Sequence, residues 1–174
     1  AVLAEREPSL AGGELTATGK LVALSARDGA LLWDASLELK ERSAYGDVDS
    51  TPLVVSGPRG AVVVATSQSG GLCALAADDG RLLWRYQGEG YGQPVVVAGG
   101  LLVASALGEL HVVDWKGQRR LARKLVEPIS GALTLVGGGF VLVPSERGLD
   151  VVRLADLRPL LRSANDTGFD APLV

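Results

Sequence analysis

Short runs of Val, Leu and Ala, each ended by Gly, Pro or Asp, follow one another along the whole chain. The runs at 62–64, 95–97 and 141–143 are continuously apolar, which is typical of strands covered on both faces of a sheet. No segment repeats apolar residues at i, i+3, i+4 and i+7 over three turns, so the pattern predicts no amphipathic helix. The sequence therefore predicts an all-β protein.

The chain also repeats itself. Residues 21–33 (LVALSARDGALLW) match residues 72–84 (LCALAADDGRLLW) at most of their thirteen positions. Weaker copies, LHVVDWKGQRRLA and LDVVRLADLRPLL, begin at positions 110 and 149. A period of about 40 residues indicates a repeat architecture in which each repeat is one supersecondary unit.

Each repeat reads as four short strands separated by turns. Asp28-Gly29 and Asp79-Gly80 supply the turn between the third and fourth strands, because Asp and Gly tolerate the positive φ of a tight hairpin turn. Four antiparallel strands per repeat predict a β-propeller with about four blades visible. The predicted units cover about residues 10–39, 47–88, 91–126 and 129–163, and 168–174 would be the first strand of a further or closing blade.

The fourth strand of the third unit concentrates positive charge. The cluster consists of Lys116, Arg119, Arg120, Arg123 and Lys124. One interpretation is a contact with a protein partner or a lipid headgroup. The other, more common for an outermost strand, is a solvated edge whose charges prevent pairing with other chains.

The third-to-fourth-strand segments resemble the tryptophan-docking motif of the PQQ-type (quinoprotein) β-propeller repeat family. Asp28, Gly29 and Trp33 match this motif, as do Asp79, Gly80 and Trp84. The resemblance implies that Trp33 and Trp84 pack between neighbouring blades. The third unit departs from the motif with Leu121 in place of Trp and Trp115 in a shorter turn, and the fourth has Leu157 for Gly and Leu161 for Trp.

Propellers of this family usually close with seven or eight blades, so we expect a partial propeller belonging to a larger ring. The open faces would then be covered by further blades or by another chain, because monomers rarely expose such large apolar patches. In the alternative, the C-terminal tail completes the first blade of a four-bladed ring. The first unit lacks a clear first strand, since residues 1–10 contain Pro8 and three charges, and its strands are expected at 14–19, 20–26 and 30–37. The absence of methionine indicates a processed product or a fragment.

Composition excludes several classes of function. The net charge of -3 argues against nucleic acid as the main partner. A single cysteine, Cys73, and a single histidine, His111, exclude an internal disulfide and a multi-His metal site. Residues 91–108 carry no charge, but Pro94 and the Gly99-Gly100 pair favour a hairpin of buried strands over a membrane span.

Enzymatic activity is the first of three functional hypotheses. The resemblance allows a dehydrogenase that uses PQQ and Ca²⁺ to oxidise an alcohol or a sugar. Such chemistry needs oxygen ligands for calcium and a carboxylate base. Asp47 and Asp49 form the tightest acidic pair near a strand start, but they read more readily as turn residues. Related alcohol dehydrogenases also carry a disulfide between adjacent cysteines, which Cys73 alone cannot form. We therefore predict no catalytic, cofactor-binding or metal-binding residues.

The second hypothesis is a non-catalytic propeller that binds protein. The resemblance is closest in character to the outer-membrane assembly lipoprotein BamB, which implies a scaffold in the periplasm or at the outer membrane, with the assembly machinery among its partners. The sequence shows no signal or lipid anchor. The third hypothesis is a ligand-sensing propeller domain of a larger signalling or surface protein. We expect the scaffold.

Overall fold

The computed structural model describes residues 2–11, 14–37, 50–57, 60–67, 70–88, 91–105 and 107–164. These residues contain fifteen β-strands and no helix, which confirms the predicted all-β class. Consequently, nothing in the described ranges forms a helix that could cross a membrane. The chain divides into two compact parts, Ala1–Tyr91 and Gly92–Val174.

The N-terminal part holds two antiparallel sheets. Blade 1 has the order β1-β2-β3, with β1 Val2–Ala11, β2 Glu14–Leu24 and β3 Leu31–Ser36. Blade 2 has the order β4-β5-β6-β7, with β4 Leu53–Gly57, β5 Gly60–Ser67, β6 Gly71–Ala76 and β7 Leu82–Tyr86. Neighbours in sequence are neighbours in the sheet, so each blade is a simple meander.

The C-terminal part holds two further four-stranded meanders. Blade 3 consists of β8 Val95–Val97, β9 Gly100–Ala104, β10 Glu109–Asp114 and β11 Arg119–Lys124. Blade 4 consists of β12 Thr134–Val136, β13 Phe140–Ser145, β14 Gly148–Arg153 and β15 Arg158–Ala164. The uncharged segment 91–108 supplies β8 and β9, so the predicted hairpin is confirmed there.

Blade 1 differs from its prediction. The expectation that the first ten residues lack a strand is wrong, because Val2–Ala11 pairs along its length with β2. The separate strands expected at 14–19 and 20–26 form the single strand β2. Pro8 indicates against a strand, because proline has no N–H to donate. However, β1 lies at the edge of its sheet, and a proline whose nitrogen faces away from the neighbouring strand removes no hydrogen bond between strands there.

Burial follows the position of each strand in its blade. The second and third strands are the most buried, as in β9, whose five residues are all buried. The fourth strand is the solvent-exposed edge of the blade, as predicted, and every residue of β11 is exposed. The prediction that first strands are covered twice is wrong, because β8 and β12 lie at the opposite edge of their sheets and are half-exposed.

Each part has its own core, shared by its two blades. In the N-terminal part the cluster consists of Leu21, Ala23, Trp33, Leu37, Val63, Ala65, Cys73 and Leu75. In the C-terminal part it consists of Leu102, Ala104, Leu110, Val112, Leu125, Leu133, Val141, Val143, Val152 and Leu157. Burial of these side chains between two sheets supplies the main force that holds each pair of blades together.

A β-bulge recurs at one place in all four blades. The register between the third and fourth strands, or β2 and β3 in blade 1, shifts after Ala23, Ala74, Val112 and Val151. The residues paired with those four are Trp33, Trp84, Leu121 and Leu161, respectively. Because bulges re-aim side chains, the repeated bulge gives each blade one equivalent docking position on its outermost strand.

Candidate functional site

Trp33 joins blade 1 to blade 2. The side chain is 8% exposed, and its indole Nε1 donates a hydrogen bond of 3.0 Å to the carbonyl oxygen of Ala77. A Cβ atom on Gly80 would lie 2.6 Å from Cε3 of the same indole. The ring therefore rests against a glycine that has no room for a side chain, in the turn between β6 and β7.

The turn that receives the indole is organised by Asp79. Its Oδ1 accepts a hydrogen bond of 2.9 Å from the backbone N–H of Arg81, and Gly80 has a φ of 71°. Few residues other than glycine adopt this conformation without strain. The predicted pair Asp79-Gly80 thus shapes the turn, and the glycine also provides the seat for Trp33.

Blade 1 carries the same turn. Oδ1 of Asp28 accepts a hydrogen bond of 3.2 Å from the backbone N–H of Ala30, and Gly29 has a φ of 73°. A hydrogen bond from Ser25 is the largest cause that holds the pKa of Asp28 below its ordinary value. The predicted pair Asp28-Gly29 therefore has the geometry of Asp79-Gly80.

A second clamp joins blades 1 and 2 through Arg85. Its Nη1 donates hydrogen bonds of 2.8 Å to the carbonyl oxygen of Leu37 and 2.7 Å to that of Gly70. The first carbonyl belongs to the end of blade 1 and the second to the start of β6. Sequence analysis missed this contact, because a lone arginine in an amphipathic strand looks like any exposed charge.

Trp84 occupies the docking position of blade 2. It pairs with Ala74 immediately before the bulge and is half-buried. This register position is the one that Trp33 holds in blade 1.

The equivalent positions of the C-terminal part carry different residues. Leu121 holds the docking position of blade 3. Leu157 replaces glycine in the receiving turn of blade 4, where it has a φ of 55° and is fully buried in the core. Oδ1 of Asp156 still accepts a hydrogen bond from the N–H of Arg158, so the turn keeps its shape. A smaller docking residue thus accompanies a larger residue in the turn.

The basic cluster lies on and beside β11, the outermost strand of blade 3. Nε of Arg120 donates a hydrogen bond of 2.8 Å to Oδ2 of Asp114, and Nη2 of the same guanidinium lies 2.7 Å from that oxygen in an ion pair. Oδ1 of Asp114 also accepts the backbone N–H groups of Lys116 and Gln118. These contacts hold the pKa of Asp114 below its ordinary value, the backbone hydrogen bond from Gln118 contributing most. Arg120 therefore stabilises the turn.

The remaining charges of the cluster divide into two kinds. Lys124 lies 4.0 Å from Glu109, which in turn lies 3.7 Å from the imidazole of His111. Within the described ranges no ion pair reaches Arg119 or Arg123, and both side chains are exposed. The charge of Arg123 nevertheless helps to lower the pKa of Asp156 in blade 4, and that of Arg119 helps to lower the pKa of His111. Lys116, in the turn before β11, is exposed as well and has no ion pair within the same ranges.

Other titratable groups fit structural roles. His111 is buried in β10, and burial lowers its pKa. Cys73 is fully buried, and burial raises the pKa of its thiol to about 11. Arg162 pairs with the buried Asp150 through two hydrogen bonds of 2.9 Å, a contact that the sequence pattern did not suggest.

The acidic, histidine and cysteine side chains of the described residues are dispersed. Within them, no three His, Cys, Asp or Glu side chains are grouped so that they could hold a metal ion. Asp47 and Asp49, the acidic pair considered above, and the strand expected at 168–174 lie outside the described residues.

Comparison with known proteins gives consistent matches. The family described as "Outer membrane protein assembly factor BamB" matches residues 5–122 and 69–159. A curated protein of that name from Shewanella oneidensis is 32% identical over 138 residues, which are 75% of this chain and 31% of the relative. The chain thus spans about a third of that relative's length.

Solved structures agree with this likeness. BamB from Moraxella catarrhalis matches with a TM-score of 0.65 and 27% identity, over 84% of this chain and 44% of the other. Quinohemoprotein alcohol dehydrogenase ADHIIG from Pseudomonas putida HK5 matches with a TM-score of 0.61 and 26% identity, over 78% of this chain and 22% of the other. The expectation of a partial propeller of PQQ-type repeats is confirmed, and the total number of blades stays a prediction.

Proposed function

Because the chain belongs to the family of the outer membrane protein assembly factor BamB, we propose that it is a non-catalytic scaffold that binds protein during outer membrane protein assembly. It would act in the periplasm, associated with the outer membrane, and its partners would belong to the assembly machinery. Family membership supports a role in outer membrane protein assembly, and the charged surface of blade 3 supports binding to a protein partner.

The observation that carries this proposal is that some cations of β11 pair with carboxylates of their own blade and others do not. Arg120 and Lys124 face carboxylates of their own blade, Asp114 and Glu109. Arg119 and Arg123 are exposed without an ion pair among the described residues. Arginine is also among the residue types that are enriched at protein interfaces.

The chemistry of these groups defines the partner. A guanidinium binds a carboxylate through two parallel hydrogen bonds. Leu121 lies on the same face of the sheet as Arg123 and is 36% exposed, so it adds an apolar contact beside that guanidinium. The expected partner surface is therefore acidic with an apolar patch next to it. Complementary charge at an exposed rim mainly raises the association rate and makes it sensitive to salt.

The test is a pull-down from a solubilised envelope fraction, with the full chain as bait. The charge-reversal variant Arg119→Glu/Arg123→Glu should recover at least about tenfold less of the barrel-assembly components, the loss expected for two rim charge pairs. The matched control Arg147→Glu/Arg158→Glu changes the net charge equally at exposed positions of blade 4. Recovery of no assembly component by the unaltered chain, or equal loss in both variants, would contradict the proposal.

A second candidate is a PQQ-dependent dehydrogenase fragment, favoured by the likeness to the Pseudomonas putida enzyme. The test is reconstitution with PQQ and Ca²⁺, followed by dye-linked oxidation of alcohols and sugars. Saturable oxidation that depends on PQQ would replace the scaffold proposal with an enzymatic one. The scaffold proposal expects a rate no greater than that of PQQ and Ca²⁺ without protein.

A further inference from the structure

The hairpin of β1 and β2 extends past the end of its blade. In blade 2, the hairpin of the second and third strands ends at the pair Ser67–Gly71. The aligned repeats make Lys20 the equivalent of Gly71, and in blade 1 six further residue pairs follow beyond Lys20. β3 does not accompany them, because its last pair joins Ser36 to Lys20. Residues 6–19 therefore form a two-stranded projection, which we call the arm.

The arm has two edges with different sequences. A two-stranded ribbon is at best marginally stable in water, so an additional strand on either edge would stabilise it. The β1 edge carries Arg6, Glu7 and Pro8, and charge and proline are features that prevent strand pairing. The β2 edge at residues 15–19 (Leu-Thr-Ala-Thr-Gly) carries neither, and among the strands that the structure describes none pairs with it on that side. This edge is therefore the one that can accept a strand.

Pro8 shows which backbone groups the open edge offers. It stands opposite Ala17, and because proline has no N–H, a regular antiparallel ladder makes this a non-hydrogen-bonded pair. The backbone N–H and C=O of Ala17 then point away from β1, and by alternation so do those of Leu15 and Gly19. Ser25, of the same parity, agrees, since its N–H donates to a carbonyl oxygen just before β3. The open edge thus offers three donors and three acceptors in the pattern of a strand.

The chain leaves this edge at the end of β3. A straight extension of β3 would place Leu37 opposite Gly19. Instead, Leu37 is 1% exposed in the core that blades 1 and 2 share. Its carbonyl oxygen accepts a hydrogen bond of 2.8 Å from Nη1 of Arg85 in blade 2. β3 therefore ends where the arm begins.

We propose that the open edge of the arm pairs with the same edge of a second copy of this chain. The two copies of β2 would run antiparallel around a two-fold axis, with Thr16 opposite Thr16 of the second copy. The product is a four-stranded sheet in the order β1-β2-β2-β1, which removes both open β2 edges. The inference rests on the geometry of the arm and does not depend on the proposed function.

Alternation and the position of β3 define the register. Residues opposite each other in an antiparallel pair must both point their backbone groups inward or both outward, so the axis lies on one residue. An axis at Ala17 would place Glu14 opposite Lys20 of the second copy, on an edge position that Ser36 of that copy already holds. An axis at Thr16 gives the longest pairing without this overlap.

The segment is complementary to itself in this register. Leu15 stands opposite Ala17 of the second copy, and these two residues exchange backbone hydrogen bonds on each side of the axis. Glu14 lies diagonally across from Lys20 of the second copy, and opposite charges at such positions stabilise a sheet. The sequence Glu-Leu-Thr-Ala-Thr-Gly-Lys at positions 14–20 carries its negative charge at one end and its positive charge at the other. An antiparallel copy therefore matches each charge with its opposite.

Disulfide formation at the axis tests the register. In the full chain, Thr16→Cys places two cysteines in a non-hydrogen-bonded pair, whose Cα atoms lie about 4.5 Å apart, within reach of a disulfide. Thr18→Cys is the matched control, because its two cysteines would be offset by four residues, about 13 Å along the strands. After oxidation in glutathione buffer, non-reducing electrophoresis should show at least about fivefold more covalent dimer for Thr16→Cys. Cys73 does not compete, because it is fully buried.

A mixture of two variants gives a second, independent measure of the register. Glu14→Cys and Thr18→Cys stand opposite each other across the proposed interface, whereas neither stands opposite itself. One protein is labelled with nitrogen-15 so that mass spectrometry separates the three possible dimers. The mixed dimer should exceed the sum of the two uniform dimers at least about fivefold.

Proline substitutions test the interface without a covalent bond. One strand pair buries less than the roughly 1,200 Å² of stable complexes, so association is weak and is measured by sedimentation equilibrium at high protein concentration. Ala17→Pro removes an N–H that the second copy needs and β1 does not. Leu10→Pro is the matched control, because Leu10 pairs with Leu15 and its N–H points to the opposite edge. The association constant should fall at least about fivefold in Ala17→Pro and stay unchanged in Leu10→Pro.

Three outcomes would overturn the proposal. The first is no more covalent dimer from Thr16→Cys than from Thr18→Cys, because another segment, of this chain or of a different protein, would then cover the edge. The second is a mixed dimer no more abundant than the uniform ones. The third is an unaltered chain that stays monomeric, or equal losses in the two proline variants. Circular dichroism of every variant establishes that each comparison is made on folded protein, and the cysteine comparisons stand if either proline variant fails to fold.

Discussion

The indole of Trp33 and the carbonyl of Ala77 are joined by a hydrogen bond of 3.0 Å across 44 residues of sequence. Trp33 belongs to the outer strand of blade 1, and Ala77 to the turn that leads into the outer strand of blade 2. One side chain therefore supplies both an apolar contact and a specific polar contact between two sheets. Its loss should be felt by both blades.

Truncation of Trp33 should be among the most destabilising single changes in the chain. Trp33→Ala is expected to lower the free energy of unfolding by about 3–5 kcal/mol, because a buried aromatic residue is lost. Trp33→Phe keeps much of the apolar area but not the Nε1 hydrogen bond, and it should cost less. Urea unfolding followed by circular dichroism measures both changes.

Leu32→Ala is the control for Trp33. Leu32 is the preceding residue of the same strand and is 62% exposed, so its truncation should cost less than about 0.5 kcal/mol, as surface changes generally do. Equal losses for Trp33→Ala and Leu32→Ala would contradict the docking role of the indole.

Leu157 should prefer glycine over alanine as its replacement. At a φ of 55° a side chain costs roughly 1–2 kcal/mol relative to glycine. Both substitutions remove the same buried contacts, at about 2–5 kcal/mol. Leu157→Gly should therefore be at least as stable as Leu157→Ala in urea unfolding. A glycine variant less stable than the alanine variant by 1 kcal/mol or more, a threshold on the order of the strain itself, would contradict this.

His111 should make the protein less stable in mild acid. Burial is the largest cause that lowers its folded-state pKa, whereas nearby Glu109 raises it and Arg119 lowers it. An unfolded histidine, with a pKa of about 6.5, then binds a proton that the folded one resists. The stability contributed by neutral His111 is present above that pH and is lost as the pH falls below it.

Urea midpoints at pH 8 and pH 5.5, with a nuclear magnetic resonance titration of this single histidine, check the prediction for His111. The decrease in stability should be smaller in His111→Gln, which cannot take up a proton. A His111 pKa above the unfolded value, or an equal decrease in both proteins, would be the contrary result.

Cys73 should be unreactive in the native state. It is fully buried, and burial raises the pKa of its thiol to about 11, so almost no thiolate is present at neutral pH. A chromogenic disulfide reagent should label it only as fast as the protein unfolds, and urea should make labelling immediate. Rapid stoichiometric labelling in native buffer would show that the core around β6 is open.

The aligned sequence repeats indicate which residues occupy equivalent positions in the four blades. Trp33 and Trp84 share one register position with Leu121 and Leu161, and that equivalence was readable from the aligned repeats. The bulge that places them was not readable, because an extra residue in a strand leaves no mark on the apolar pattern. The strand β1 was not predicted, because a proline within a short segment indicates against a strand. A strand tolerates proline when it lies at the edge of a sheet, and its place in the sheet is not visible in the local sequence.

The pairings around the candidate site were harder to predict. Asp114 organises the turn of blade 3 through its hydrogen bonds. Because that turn is one residue shorter than the turns of blades 1 and 2, Asp114 does not align with Asp28 and Asp79 in the sequence motif. The basic cluster was recognised as a whole from sequence. Its division into paired Arg120 and unpaired Arg119 and Arg123 depends on cross-strand neighbours, which a single sequence does not specify.

The central claim is that blade 1 docks on blade 2 through matched sizes at two positions, Trp33 and Gly80, and a double-mutant cycle tests it most directly. Gly80→Ala and Gly29→Ala carry the same backbone strain, since their φ angles are 71° and 73°, but only Gly80 lies against Trp33. Gly80→Ala should therefore cost about 1–3 kcal/mol more than Gly29→Ala, as overpacking does. In a Trp33→Leu background this difference should fall below about 0.5 kcal/mol. Equal costs for the two glycines in the presence of Trp33 would contradict the account.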